Sequence, residues 1–195
     1  MSATDAKLHG AVLAGGESRR MGRDKAWLRV RGEPLWQRQM RVLHDAGAAS
    51  VTIVRRPGQA GFGPGVLQVR DRFPGAGPLA GLHAALFATR ASHLAVLAVD
   101  MPEIDAAWFR WLGSFCRPEA GAIACHADGC EPLAAIYPRE ALATVTRRLQ
   151  ETRLSLRELV TELAQTQRMT IVPLPESERW RVENWNLPSC LRVRA

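Results

Sequence analysis

Residues 8–14 (LHGAVLA) form a short, almost unbroken apolar run that stops at two glycines, as a buried strand does. The next pattern has helical spacing: Leu35, Trp36, Met40 and Leu43 follow Pro34 and end near Gly47. Proline at the first helical position and glycine past the last is the expected asymmetry. Strands are expected at 51–54 and 66–69, separated by a loop over 57–65, with turn chemistry over 71–77. Pro78 starts a second helix carrying Leu79, Leu82, Leu86 and Phe87. The run 94–99 (LAVLAV) is continuously apolar, which suits a central parallel strand covered on both faces.

Asp105 can cap a third helix, with Trp108, Phe109, Leu112 and Phe115 on its buried side. At that spacing the aromatics read as core rather than as a cofactor platform. Segments 121–125 and 132–137 flank Ala127-Asp128-Gly129, a hairpin turn. Helices over 139–149 and 155–164 precede a last strand over 169–174. Strands alternating with helices imply a doubly wound α/β domain, its mostly parallel sheet wrapped by helices on both faces. Ligands of such sheets bind at the carboxyl ends of the strands, near a topological switch point. That rule selects the segment from Ala14 to Lys25, Asp71 and Asp100.

At 195 residues the chain fits a single domain over 1–195. It has no apolar run of about 18 residues, so no membrane span is expected. The polar start (Thr4, Asp5, Lys7, His9) is not laid out as a signal peptide, which leads to a cytoplasmic expectation. The net charge of +7 favours anionic partners. Basic and acidic residues interleave, as in Arg147, Arg148, Glu151, Arg153, Arg157 and Glu158. No nucleic-acid-binding signature appears, so phosphorylated small molecules are preferred to nucleic acid. The cysteines at 116, 125, 130 and 190 lack paired metal-site spacing and read as small buried hydrophobes; disulfides are not expected.

The first strand runs into Leu13-Ala14-Gly15-Gly16, followed by Arg19, Arg20, Arg23 and Lys25. Glycine lets backbone amides approach an anion closely, and arginine and lysine supply the charge that a triphosphate needs. A solvated basic loop is the alternative reading. The segment is neither a P-loop nor a GxGxxG fingerprint, which argues against a standard ATPase or dehydrogenase. Asp100 directly follows LAVLAV and precedes Met101-Pro102. A carboxylate there can hold Mg²⁺ together with substrate phosphates, or it can simply cap the loop. A basic glycine loop and a metal carboxylate fit phosphoryl or nucleotidyl transfer.

These residues resemble the molybdenum cofactor guanylyltransferase family. The likeness rests on Leu13-Ala14-Gly15-Gly16, Arg20-Met21-Gly22, Asp24-Lys25 and Gly32-Glu33-Pro34-Leu35. It continues through Asp71, Gly77-Pro78-Leu79-Ala80-Gly81, Asp100-Met101-Pro102 and Asn184-Trp185-Asn186-Leu187-Pro188. The resemblance implies a Rossmann-like nucleotidyltransferase with a nucleotide-binding half over about 1–105 and an acceptor-binding half over about 106–195. It implies that the terminal phosphate of molybdenum-molybdopterin attacks the α-phosphate of GTP, releasing pyrophosphate and forming molybdopterin guanine dinucleotide. Leu13, Ala14 and Gly15 would contact the nucleotide, Gly16 and Arg20 would shape the phosphate loop, and Lys25 would bind phosphate. Asp71 would lie near base or ribose, Asp100 would hold Mg²⁺, and Asn184 and Asn186 would serve the acceptor or a second metal. Cofactor-insertion and molybdoenzyme proteins would receive the product.

The chain departs from the family pattern at Arg23, where a second glycine is usual, and at Val54, where asparagine often stands. It departs again at Glu131-Pro132, where His-Pro is common, and at Leu187, where threonine is usual. Cytidylyl relatives carry Leu-Ala-Ala-Gly in the loop, so Gly15 is expected to leave room for a purine. Rival readings are a cytidylyltransferase on the same pterin, a sugar-phosphate nucleotidyltransferase, or a non-catalytic carrier of the cofactor. Arg147, Arg148 and Arg153 are expected to draw in the acceptor phosphate by charge alone.

Overall fold

The first apolar run becomes β1 (Leu8–Leu13), the strand about which the sheet is organised. It lies parallel to both β4 (Ser50–Arg55) and β6 (His93–Ala98), with Leu13 opposite Val54 on one side and Ala98 on the other. The computed structural model describes residues 8–16 and 24–183. Within them one sheet runs in the order β10-β7-β9-β6-β1-β4-β5. Its remaining path strands are β5 (Leu67–Arg70), β7 (Gly121–His126), β9 (Ala134–Pro138) and β10 (Met169–Pro173). The short β8 (Gly129–Cys130) hangs on β7, and β2 (Arg29–Val30) pairs with β3 (Glu33–Pro34) apart from the main sheet.

Side-chain alternation along β6 explains why helices cover both faces. Ala95 and Leu97 join Val12 and Ile53 beneath α1 (Leu35–Asp45) and α3 (Ala106–Gly113), where Leu43, Trp108 and Phe109 are buried. Leu94 and Val96 face the other way, among Leu82 and Leu86 of α2 (Pro78–Ala88) and the apolar sides of α4 (Ala141–Gln150) and α5 (Leu156–Gln165). Every residue of β6 is buried, as its unbroken apolar run requires. The expected α/β architecture is therefore present.

β9 alone runs antiparallel among the path strands, against both β6 and β7. The connection from β7 holds only the β8 hairpin and no helix, so the chain has no crossover with which to return parallel. Ala122 lies opposite Ile136, and the two backbones come so close that a Cβ on Gly121 would sit 2.0 Å from the Ile136 carbonyl oxygen.

Four sequence expectations change. Pro34 stands just before α1 in β3 rather than inside the helix, and Arg31 and Gly32, both with positive φ, form the two-residue turn between β2 and β3. Phe115 is exposed because α3 ends at Gly113 and no longer carries it inward. Cys125 and Cys130 form a disulfide: the Ala127-Asp128 turn makes them direct partners on β7 and β8. Arg148 is wholly buried between α4 and α5, where it donates to Glu158 and Glu162, so it is an internal ion-pair residue and cannot attract a ligand. Arg147 of α4 pairs with Glu162 of α5, and Arg153, between the two helices, pairs with Glu158 of α5.

Candidate active site

The carboxyl ends of β1, β4 and β6 open into a cleft of about 710 Å³. Leu13, Ala14, Gly15 and Gly16 form its floor, Arg55 and Arg56 one wall, and Gly77 with Pro78 and Gly81 of α2 another. Gly77 has a φ of 63°, a conformation glycine adopts without strain, and it brings the N-terminal turn of α2 to the cleft. Amides at such a turn favour anions. Lys25, Asp71, Asp100 and Leu133 complete the rim.

Lys25 and Asp100 are 75 residues apart in sequence, yet the Lys25 ammonium donates to Asp100 Oδ2 at 3.0 Å. Each side chain is about one-fifth exposed, so the pair is sheltered but open to the cleft. Two devices place it. Asp24 accepts from the Ala26 backbone N–H and caps the 3-10 turn Lys25–Trp27, which fixes the stem of Lys25. On the other side, fully buried Gln39 of α1 donates to the carbonyls of Ala98 and Met101, and Arg38 donates to that of Pro102. Those bonds hold the turn after β6 that presents Asp100.

Asp71 sits at the end of β5 with its backbone N–H donating to Arg55, while Oδ1 accepts from the Phe73 N–H at 2.6 Å. Partial burial pushes its carboxyl above the ordinary range, against the opposing effects of the Phe73 hydrogen bond and His83. Beyond Leu133, the β7–β8 hairpin stands at the same end of the sheet. Burial likewise raises the Glu131 carboxyl, with Arg157 acting in the opposite sense. Arg179 ties the hairpin down through Asp128.

A family model for the MobA-like NTP transferase domain matches residues 10–169, a range that holds the residues lining this cleft, from Leu13 to Leu133. The chain belongs to the MobA-like NTP transferase family. It is 59% identical to a probable molybdenum cofactor guanylyltransferase of Opitutus terrae, over 96% of this chain and 95% of that one. It is 36% identical to a molybdenum cofactor guanylyltransferase of Xanthomonas euvesicatoria, over 92% and 89% of the two chains. A solved molybdopterin-guanine dinucleotide biosynthesis protein A from Archaeoglobus fulgidus superposes with a TM-score of 0.70 at 24% identity, covering 94% and 95% of the chains. That likeness is one of fold.

Within this nucleotidyltransferase the structure gathers Leu13, Ala14, Gly15, Gly16, Lys25, Asp71 and Asp100 around one cleft. Arg20, Asn184 and Asn186 lie outside the described residues. Gly15 lies where the chain passes close to the loop after β4. A Cβ there would point at the neighbouring loop and sit 3.1 Å from the Arg56 backbone nitrogen. Its missing side chain allows this close approach of two backbones. Val54, near the end of β4, is buried in the core, and its carbonyl accepts from the Ala14 N–H at 2.9 Å.

Sequence reading missed Arg55, Arg56 and Leu133 on the cleft wall, and Gln39 behind it. Gln39 was detectable in principle: it occupies a core-facing position of α1, among Leu35, Trp36, Val42 and Leu43, where a polar residue needs a buried partner. No comparable signal marks the others.

Proposed function

We propose that the chain transfers GMP from GTP to the terminal phosphate of molybdenum-molybdopterin, forming molybdopterin guanine dinucleotide and pyrophosphate. The observation that carries the reading is the Lys25–Asp100 pair, set at the carboxyl ends of β1 and β6 in a cleft floored by glycines. The names of the relatives at 59% and 36% identity support the donor and the acceptor.

Asp100 fits a Mg²⁺ site. Among the described residues no group of three or more His, Cys, Asp or Glu side chains could hold a metal ion. Mg²⁺ needs no such cage, because it takes one or two carboxylates and completes its shell with phosphate oxygens and water. When bound, it supplies charge neutralisation at the phosphates. The chain's own groups do the rest. Backbone at Gly15 and Gly16 and the first turn of α2 hold the triphosphate, and Lys25 stabilises charge that builds on the α-phosphate as the acceptor oxygen bonds to phosphorus. The bond to pyrophosphate breaks on the opposite side. Arg55 and Arg56 add positive charge along the path of the leaving group. The acceptor approaches from the half formed by about residues 106–195, past Leu133 and the β7–β8 hairpin.

The test is turnover by the purified chain with Mg²⁺ and molybdenum-molybdopterin, comparing GTP with CTP and reading both pyrophosphate and the dinucleotide by mass. The expected result is a guanine dinucleotide with GTP strongly preferred. A preference for CTP, or pyrophosphate released only with a sugar phosphate as acceptor, overturns the reading.

A further inference from the structure

Gln59 lies in the loop after β4, outside every motif the sequence brings forward, yet it is among the few buried polar side chains, at 5% exposure. Its amide makes three hydrogen bonds, and each goes to a different part of the site. Nε2 donates to the carbonyl of Ala14 at 3.0 Å and to Asp24 Oδ2 at 2.7 Å. Oε1 accepts from the backbone N–H of Arg56 at 3.1 Å. Ala14 directly follows β1, Arg56 lines the cleft wall, and Asp24 caps the turn that carries Lys25.

The orientation of the amide follows from its partners. Turned over, its oxygen would face a carbonyl and a carboxylate while its NH₂ faced an N–H, so both polar ends would be opposed. The chemistry also selects the residue. Two donors on one atom and an acceptor beside them, at this reach, are what a glutamine offers; glutamate keeps only the acceptor and methionine keeps only the shape. Gln59 is itself anchored, since its backbone N–H donates to Arg56 and its carbonyl accepts from the Arg55 guanidinium.

We propose that Gln59 is a positioning residue of the nucleotidyl-transfer site. It holds Asp24 with one donor while the other grips the end of β1. Asp24 uses Oδ2 for Gln59 and Oδ1 for the Ala26 N–H, so both its oxygens are committed to setting the turn. Lys25 therefore reaches Asp100 from a stem fixed through Gln59. A preorganised charge does not spend binding energy on rearranging itself at the moment of reaction, so the loss of this clamp should fall on kcat more than on KM.

The inference rests on the proposed function, and the experiment separates the two. Gln59→Met and Gln59→Glu are assayed for pyrophosphate release with GTP, Mg²⁺ and molybdenum-molybdopterin, beside wild type, Lys25→Met and the Lys25→Met/Gln59→Met double variant. Melting temperature and GTP–Mg²⁺ affinity are measured on all five. The expected result is a kcat at least tenfold lower in Gln59→Met with KM changed less than threefold. The loss is larger in Gln59→Glu, whose carboxylate faces that of Asp24. In the double variant kcat falls no more than twofold below Lys25→Met, because Gln59 acts through Lys25. Losses that multiply in the double variant, or a lowered melting temperature with kcat intact, overturn the proposal. If wild type binds GTP but transfers nothing to molybdopterin, the acceptor reading fails. Gln59 is then judged by pyrophosphate release with the sugar phosphate that wild type accepts: a tenfold lower kcat in Gln59→Met that disappears in the Lys25→Met background supports it, and an unchanged kcat overturns it.

Discussion

Asp100→Asn keeps the shape of the side chain and removes one charge, and the structure gives this change opposite effects with and without metal. At 3.0 Å from the Lys25 ammonium, the Asp100 carboxylate feels a gross attraction of about 5 kcal/mol at an effective dielectric near 20. Desolvation and residual exposure offset most of it, leaving roughly 1 kcal/mol of net stability, and asparagine oxygen can still accept from Lys25. The melting temperature should therefore fall by only about 2–4 °C, as expected for a domain of this size. Nucleotide binding responds differently. In EDTA the wild-type carboxylate repels a triphosphate and occupies Lys25, so the variant should bind GTP as tightly as wild type or more tightly. With Mg²⁺ present the carboxylate becomes the anchor, and the variant should lose at least about a hundredfold in turnover, about 2.7 kcal/mol of transition-state stabilisation. Calorimetric titration of GTP with and without Mg²⁺ and a pyrophosphate-release assay measure the two effects. Near-wild-type turnover, or weaker GTP binding in EDTA, refutes the role given to Asp100.

Gly15→Ala presses a methyl against the Arg56 backbone nitrogen, 3.1 Å away, so it should weaken GTP and CTP by similar factors of about 5–150, the cost of about 1–3 kcal/mol for overpacking; a change in their ratio of specificity constants would show instead that the residue selects the base. Gly121→Ala drives a Cβ to 2.0 Å from the Ile136 carbonyl oxygen across two sheet strands, so the urea midpoint should drop by the equivalent of at least about 3 kcal/mol, or the variant should not fold; stability within about 0.5 kcal/mol of wild type contradicts the strand spacing. Arg148→Met removes the shared cation of Glu158 and Glu162 and should lower the urea midpoint while leaving the salt dependence of acceptor association unchanged, as stopped-flow rates at low and high ionic strength will show.

What the sequence revealed and what it hid divide along a physical line. Apolar periodicity reports which face of an element is buried, and it located β1, β6, α2 and the helices of the second half within a few residues. The strand-end rule then put Lys25, Asp71 and Asp100 in one place, because parallel strands deliver their carboxyl ends to a single edge. Periodicity says nothing about pieces two residues long, so β2, β3 and β8 were invisible, and with β8 went the register that pairs Cys125 with Cys130. It also cannot distinguish a solvated charge from one buried by partners on the next helix: Arg148 reads as surface until α5 brings Glu158 and Glu162 against it.

The deepest omission concerns the means of holding the site. Reading residues for chemistry finds the cations and carboxylates that meet a substrate, since charge is rare and costly in a cleft. Side-chain amides carry no charge and leave no periodic trace, yet Gln39 and Gln59 hold the two halves of the Lys25–Asp100 pair from opposite sides. Each is buried and bonds backbone carbonyls 45 or more residues away in sequence, so its value exists only once the sheet has formed. An amide suits that work because it binds carbonyl and carboxylate alike without adding a charge that would compete with the triphosphate. Placing lysine or arginine at position 59 would also satisfy Asp24, but it would set another cation against the capping carboxylate and draw Asp24 away from the Ala26 N–H. The neutrality that hides these two residues from a reading of motifs is the property that lets them fix Lys25 and Asp100 without altering the field those two present to the nucleotide.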